Sequence, residues 1–334
     1  NGFIEVTTAD GDVIVDRPVA HAGNGYVQLT ANGADGDIVV NESVVSQASF
    51  VRLNAQDDVV QNGAIISVNN GYVSVTAGDD ITMGSSAIGF TGSGNIRYSA
   101  GDFIQVNNII SSNGNISVFA GGNINQRSNI ITLANGTIDV SAGGSITMID
   151  QTLALVGNNR DIRYAAGGNI FLSSLISTQG DVSVRSTGGS IRDGGESLPD
   201  IVGQNVMLFA PNGGIGLSGA GANGLEMAAN NIAALAGAGG INVAVGGNVN
   251  ITTVGGGINV NRVDANGGTS VINDGSLSGY TTTGGGPIVH LGNGTTTISQ
   301  PVSAGSTGNV AIINSSSNTV ENIIVNAAVS SGSG

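Results

Sequence analysis

Apolar and polar residues alternate in short runs that recur from one end of the chain to the other. Ile116-Ser117-Val118-Phe119-Ala120-Gly121-Gly122-Asn123-Ile124 is representative, and Val73–Gly78, Ile138–Gly144 and Ile162–Gly168 are variants of it. The alternation has period 2, the strand signature, and each run ends at a glycine-bearing corner before the next. The first apolar residue of each unit falls at Ile4, Val27, Val51, Val73, Ile96, Ile116, Ile138, Ile162, Val182, Val206, Ile232, Val249, Val271, Val289 and Val310, with gaps of 17 to 26 residues. A mean near 22 suits one three-sided coil of short strands, so the pattern predicts an all-β solenoid of about 15 coils. At the usual spacing between strands, such a stack is on the order of 70 Å long.

A longer period lies over the first. Ile96-Arg97-Tyr98 matches Ile162-Arg163-Tyr164, and Ile81-Thr82-Met83 matches Ile146-Thr147-Met148. Three coils therefore form a super-repeat of about 66 residues, built by duplication. Stacked Asn near Asn123 and Asn169 are expected to form amide ladders. Asn-Gly pairs such as Asn70-Gly71, Asn113-Gly114 and Asn135-Gly136 are expected to supply left-handed backbone at corners. One continuous solenoid is expected over residues 1–334: regular coils in 1–192, a protruding loop in 193–204 around Pro199, and less regular Gly/Ala/Thr-rich coils in 205–334.

Composition narrows the class. Glycine is 56 of 334 residues, yet 40% are hydrophobic and only 10% charged, which excludes both disorder and a collagen-like chain. The net charge is −14, and the cations are nine arginines with no lysine. Phosphate backbones and anionic membranes are poor partners for such a surface. Cysteine is absent, so there is no disulfide framework or thiolate site. No apolar run reaches 18 residues. The start at Asn1 and the Ser331–Gly334 tail read as the edges of a mature or excised piece.

The Ala-Gly-Gly-(Asn/Ser)-Ile junctions at 120–124 and 142–146 resemble haemagglutinin-type repeats of filamentous bacterial exoproteins, the two-partner secretion adhesins and related autotransporter passengers. The resemblance spans most of residues 1–260. It implies a right-handed parallel β-helix at the cell surface, in a family that hosts adhesion, filament formation and toxin display.

Candidate chemistry is sparse. Asp57, Asp58, Asp79, Asp80 and Asp102 recur at one corner of three consecutive coils, with Asp37 one coil earlier, and 11 of the 23 acids lie in the first 100 residues. Stacking brings these like charges within roughly 5 Å. Either they splay into solvent as surface charge, or calcium with its oxygen-ligand preference joins them. Asp161 and Asp193, with Arg160, Arg163 and Arg192, are the nearest approach to a polysaccharide-cleaving cluster. His21 and His290 are expected at the surface or at corners, too far apart to share a metal. Tyr98 and Tyr164 are expected to pack, the alternative being an exposed ladder for glycans. The Gly219–Gly224 run matches a dinucleotide fingerprint without the helix that motif needs. Thr281–Thr283 and Thr295–Thr297 are too few for a flat ice-binding face. The expectation is a non-enzymatic secreted or surface β-helix, a stalk or filament segment. It self-associates or continues a longer parent chain through its ends and meets a glycan or protein receptor. A polysaccharide lyase or hydrolase and a calcium-stabilised matrix protein are the alternatives.

Overall fold

The protein is described from a computed structural model, which covers residues 2–195, 198–217, 219, 222–315 and 321–332. It is an all-β, right-handed parallel β-helix of about 14 turns, without helix among the described residues. The chain divides into two compact units. The first comprises residues 1–144, 152–158 and 260–272, and the second 145–151, 159–259 and 273–334.

In the first unit each coil contributes three strands. The first face is built from Ile4–Thr8, Val27–Ala31, Val51–Ala55, Val73–Thr76, Ile96–Ala100, Ile116–Ala120 and Ile138–Ala142. These strands stack in parallel with the unit-start residues in register: Ile4 on Val27, Val27 on Val51, Ile96 on Ile116, Ile116 on Ile138. The second face carries Val13–Val15, Ile38–Val40, Val59–Gln61, Ile81–Met83, Ile104–Val106 and Ile124–Gln126. Because every second residue points inward, Val27, Leu29, Val51, Leu53, Ile96 and Tyr98 are fully buried. Tyr98 is a packing residue. Its hydroxyl donates to Gln61 Oε1 at 2.9 Å, while Gln61 Nε2 donates to the Gly63 and Ile88 carbonyls. The third strands, among them Val44–Ser46, Ala64–Ser67, Ile88–Thr91, Asn108–Ser111 and Ile130–Thr132, end in a second buried column of Ser46, Ser67, Thr91, Ser111 and Thr132.

Asparagine ladders run along the corners, but at other positions than the expected Asn123 and Asn169; Asn169 instead meets Ser145 Oγ and the Ser190 N–H. Asn62 Nδ2 donates to Asn41 Oδ1 at 2.9 Å and Asn41 Nδ2 to Asp16, while Asn113, Asn135 and Asn158 repeat the arrangement. The role expected of the Asn-Gly glycines needs correction. Gly71, Gly114 and Gly136 do not have positive φ. Each stacks on the backbone one coil earlier. A Cβ on Gly114 would land on the Gly94 carbonyl, and one on Gly136 on the Gly114 carbonyl. Close approach of successive backbones therefore selects glycine here, not a left-handed turn.

Residues 205–334, expected to be less regular, mix very short strands such as Gly214–Ile215 with long ones. Residues 201–210 and 225–236 form the second unit's two longest strands, Ile201–Ala210 and Leu225–Ala236, paired over nine registered positions. The loop expected over 193–204 is shorter. Asp193 ends one strand, the Asp200 carbonyl already accepts the Leu175 N–H, and Ile201 begins the next. Glu196 and Ser197 of that loop lie outside the described residues, as do Ser333 and Gly334 of the tail and Ala220 and Gly221 of the glycine run. Thr282 and Thr296 are buried, donating to the Gly286 carbonyl and Asn314 Oδ1. His290, expected at a surface or corner, is also in the core with no exposure.

Three of the fifteen expected coil starts do not open a first-face strand. Val289 and Val310 lie on strands registered through Ile241 and Ile215 with Ile191, not with Val206 and Ile232, and Val271 lies on an insertion. Val249–Ile251 and Tyr280–Thr282 pair with the same strand, Leu225–Ala236, at Ile251↔Ile232 and Tyr280↔Ala234. Residues 253–278 are thus an insertion within a single first-face strand. Val271 lies on this insertion, which folds as a hairpin: Thr253–Gly255 pairs antiparallel with Ser276–Ser278, and Asn259–Val263 forms a second two-stranded sheet with Thr269–Asn273. An insertion close to one coil in length preserves the 22-residue spacing and disguises itself as a repeat.

Candidate functional site

Three features of the outer surface depart from the repeat. The first is the acidic corner. Asp12, Asp37, Asp58 and Asp80 immediately precede second-face strands, and each offers Oδ1 to the backbone N–H one coil later. Asp37, Asp58, Asp80 and Phe103 receive these bonds as donors at 3.0, 3.0, 2.9 and 2.8 Å. These charges are thus partly offset by backbone donors. Asp57, Asp79 and Asp102 form the neighbouring outer column, linked by Asp79 N–H to the Asp57 carbonyl and Asp102 N–H to the Asp79 carbonyl. Gly122 continues that column. Carboxylate oxygens of Asp57, Asp58 and Asp79, and of Asp79, Asp80 and Asp102, lie within 4.8 Å of one another. Desolvation, with the charges of Asp58, Asp37, Asp79 and Asp35, pushes the Asp57 carboxyl above its ordinary range. Asp80 does the same to Asp79, helped by desolvation, Asp58 and Asp102.

The second feature is an aromatic column that the unit starts conceal. Phe3, Tyr26, Phe50 and Tyr72 each stand immediately before the first residue of a coil. Their rings stack with centroids 5.0, 4.6 and 4.9 Å apart and interplanar angles of 5°, 8° and 12°. Those distances repeat the inter-strand spacing, so the column follows from register alone. The rings cover one another's faces and present their edges outward; Phe3 is 58% exposed. Arg52 lies over Phe50 and Tyr72 and reaches the Tyr72 hydroxyl and Asn266 Oδ1, the latter at 2.8 Å. In the next coils of this unit the same position carries Asn95, Asn115 and Thr137. Asn115 Nδ2 donates to Asn95 Oδ1 at 3.0 Å and Thr137 N–H to Asn115 Oδ1 at 3.0 Å.

The third feature is the hairpin. In the first unit its tip, residues 260–272, lies on the outward side of the first face. Asn261 and Val263 donate their backbone N–H to Thr137 Oγ1 at 2.8 Å and Ser117 Oγ at 2.9 Å. Asn95 Nδ2 donates to the Gly267 carbonyl at 2.8 Å. Arg262 pairs with Asp139 at 2.8 Å and lies 4.6 Å from the Phe119 ring centroid. Ser117 and Asp139, at outward positions, are consequently fully buried. The tip turn is closed by Asp264, whose Oδ1 accepts the N–H groups of Asn266 and Gly268 at 2.7 and 2.9 Å.

In the second unit the hairpin base packs Val254, Ile258 and Leu277 against Met207 and Ala233. Asp274 receives both oxygens' worth of bonding from Arg163 Nε at 3.0 and 2.9 Å, with Ser183 Oγ at 2.7 Å and Arg185 Nε at 3.6 Å. Asp161 accepts N–H from Asn259 at 2.8 Å and from Asp181 at 3.0 Å. Burial pushes its carboxyl up to about 6 against those hydrogen bonds.

The expected pairing of Asp161 with Asp193 is therefore not found. Arg163 is committed to Asp274, and Asp193 receives N–H from Gly195 and from the Asn223 side chain. A different carboxylate group is assembled instead. Asp193, Asp200 and Glu226 bring oxygens within 4.8 Å. Asp200 is fully buried, its Oδ2 accepting the Glu226 N–H at 2.8 Å, and desolvation raises the Glu226 carboxyl above its ordinary range. Glu226 also lines a depression of about 350 Å³ with Pro199, Leu291 and Asn293. His21, in the first unit, accepts the Gly23 N–H at Nδ1. Sequence reasoning missed the aromatic column, whose signal is an aromatic directly before each of the first four unit starts. It also missed the hairpin, signalled by Gly255–Gly257 and by the Asn266-Gly267 and Asp274-Gly275 turns.

No family model matches the chain, and no curated protein and no solved structure matches it.

Proposed function

We propose that this chain is a non-enzymatic structural and adhesive β-helix, displayed outside the cell as a stalk or filament segment of the kind that the haemagglutinin-type resemblance implies. The observation that carries this reading is the Phe3–Tyr26–Phe50–Tyr72 column, a row of aromatic edges at coil spacing on a rigid parallel stack. Aromatic side chains are favoured contact residues because they present large apolar area at low conformational cost. The faces between neighbouring rings are covered, so along its length the column suits an apolar strip on a protein receptor better than sugar rings, which stack on open faces. The test is retention of the chain on immobilised matrix proteins and on glycans. Tyr26→Ser/Phe50→Ser is expected to lower retention on protein at least tenfold. Equal retention of wild type and variant would sink the reading.

Self-association belongs to the same proposal. The strands Ile323–Val325 and Val329–Ser330 expose Ile323, Ile324, Val325 and Val329, and Val6 in the first coil is 41% exposed. A further strand, from the same polypeptide or another copy, covers such surface by continuing the ladder. Calcium at Asp57, Asp58, Asp79, Asp80 and Asp102 is the cofactor reading supported by the 4.8 Å oxygen spacing. A melting temperature unchanged by chelator would remove it.

A second reading has its own observation. The Asp193–Asp200–Glu226 group beside the depression is where a polysaccharide-active enzyme would place its acids. Turnover of acidic or neutral polysaccharides, abolished by Glu226→Gln, would select it over adhesion.

A further inference from the structure

We propose that Asp139, Phe119, Thr137 and Ser117 of the first unit form a binding site for an extended, arginine-bearing peptide segment of a partner protein, and that the hairpin tip is its tethered occupant. This inference stands whether or not the chain is adhesive. Outward positions of a β-helix ordinarily meet water, yet here Ser117 and Asp139 have no exposure. What covers them is docked in the manner of a ligand. Arg262 Nε meets the Asp139 carboxylate at 2.8 Å while the guanidinium lies over the Phe119 ring, a stacked geometry that favours arginine over lysine. On either side of Arg262 the backbone N–H groups of Asn261 and Val263 meet Thr137 Oγ1 and Ser117 Oγ. Donors at alternate residues are what any extended segment offers, independent of its side chains. The site thus reads one side chain, arginine, and one backbone conformation, a strand.

The backbone that carries the host side chains is held by the coil ladder and not by the tip. Ser117 and Asp139 are registered partners on the adjacent strands Ile116–Ala120 and Ile138–Ala142, both held by the coil ladder. The tip itself is held by one ion pair, a few polar bonds and the buried Val260 and Val263. A hairpin tip laid on the outside of the coil ladder, held there by these contacts and by the Asn266 and Gly267 bonds to Arg52 and Asn95, can open locally without unfolding the core. Charge complementarity indicates the partner, because a chain of net charge −14 attracts cationic segments. The tether supplies an effective concentration in the millimolar range, so an external segment competes poorly until the tip is weakened.

The test uses the full chain and a fluorescent peptide with the sequence of residues 260–264, Val-Asn-Arg-Val-Asp, alongside its citrulline analogue. Arg262→Ala is expected to bind the arginine peptide saturably and at least tenfold more tightly than wild type. Citrulline in the peptide, or Asp139→Asn added to the variant, is expected to weaken that binding at least tenfold. Absence of saturable binding up to millimolar peptide overturns the proposal, as does binding indifferent to citrulline or to Asp139→Asn. Wild-type dimers that the peptide dissociates would make a second copy's hairpin the occupant and overturn the assignment to a partner. Hydrogen exchange on the wild type tests the proposal without a variant. The Asn261 and Val263 amides are expected to exchange at least a hundredfold faster than those of Val118 and Val140, and equal protection overturns it.

Discussion

Arg262 and Asp139 stand 123 residues apart in sequence, yet Arg262 Nε donates to Asp139 Oδ2 at 2.8 Å on the outside of a β-helix coil. Asp139 has a fully buried side chain, whereas that of Arg262 is 35% exposed. Removing the arginine takes the ion-pair partner from a desolvated carboxylate, while removing both does not. Arg262→Ala is therefore expected to destabilise the tip more than Arg262→Ala/Asp139→Ala does. The double-mutant cycle should give a coupling of about 1–3 kcal/mol. Limited proteolysis within residues 260–272 is the readout, and additive effects would show that the pair is not coupled.

The acidic corner separates two kinds of aspartate. Asp57 and Asp79 have carboxyls raised above their ordinary range by desolvation and by neighbouring carboxylates. A carboxyl raised in the folded state weakens folding at neutral pH, and the penalty is relieved as pH falls. Asp57→Asn and Asp79→Asn are accordingly expected to raise the melting temperature at pH 7, by less as pH is lowered. Asp58 differs because its Oδ1 accepts the Asp80 N–H at 2.9 Å. Asp58→Ala loses that bond and is expected to cost about 1 kcal/mol despite removing a charge. Thermal melting of the three variants in the absence of divalent ions decides the point. A stabilising Asp58→Ala would mean that repulsion outweighs the hydrogen bond.

The glycine column beside this corner is steric in origin. Gly78, Gly101, Gly121 and Gly143 stack so closely that a Cβ on Gly101 would fall on the Gly78 carbonyl, and one on Gly121 on the Gly101 carbonyl. None has positive φ. Gly101→Ala must therefore push two coils apart, an overpacking cost of roughly 1–3 kcal/mol. Gly11 makes a useful contrast, since its φ is 94° with nothing within 4 Å of an added Cβ. There Gly11→Asn is expected to be tolerated better than Gly11→Val, because asparagine accepts left-handed backbone. Urea denaturation of these variants is the measurement.

These contrasts show what could be read from the chain alone. Coil geometry was legible because period 2 within strands and a 22-residue period between them are both enforced by the core, as at Ile96, Tyr98, Ile116 and Val118. The stacking of Asp57, Asp79, Asp102 and Gly122 was legible for the same reason, since register transmits position from coil to coil. The hairpin was not legible, because Val271 keeps the spacing of a coil start and alternates like one. Only pairing shows that Ile251 and Tyr280 belong to one interrupted strand. The partners of Arg163, Arg185 and Arg262 were out of reach too, because arginine on a strand carries no signal of which distant carboxylate will meet it. His290 looked like a corner residue because histidine is polar, but its pattern position was inward. Neighbouring Ile288 shares that face and is equally buried.

His290 makes the last prediction. Nδ1 lies 3.3 Å from the Tyr280 hydroxyl and Nε2 3.2 Å from Thr296 Oγ1, with the ring fully buried. Burial lowers its pKa from 6.5 to about 4. The folded state therefore holds the ring neutral where the unfolded chain would already be protonated. The stabilisation is complete above pH 6.5 and is lost as pH falls toward 4, up to roughly 3 kcal/mol. Asp161 in the same unit acts oppositely, because its carboxyl, raised to about 6, relieves a penalty as pH drops below that value. Replacing His290 with glutamine, which cannot charge, is expected to cost stability at pH 7 through imperfect packing. Near pH 4.5 the variant should match or exceed the wild type. Asp161→Asn is expected to tilt the profile the other way, steepening the loss of stability on acidification. Parallel pH profiles for wild type and His290→Gln would show that His290 carries none of the acid sensitivity.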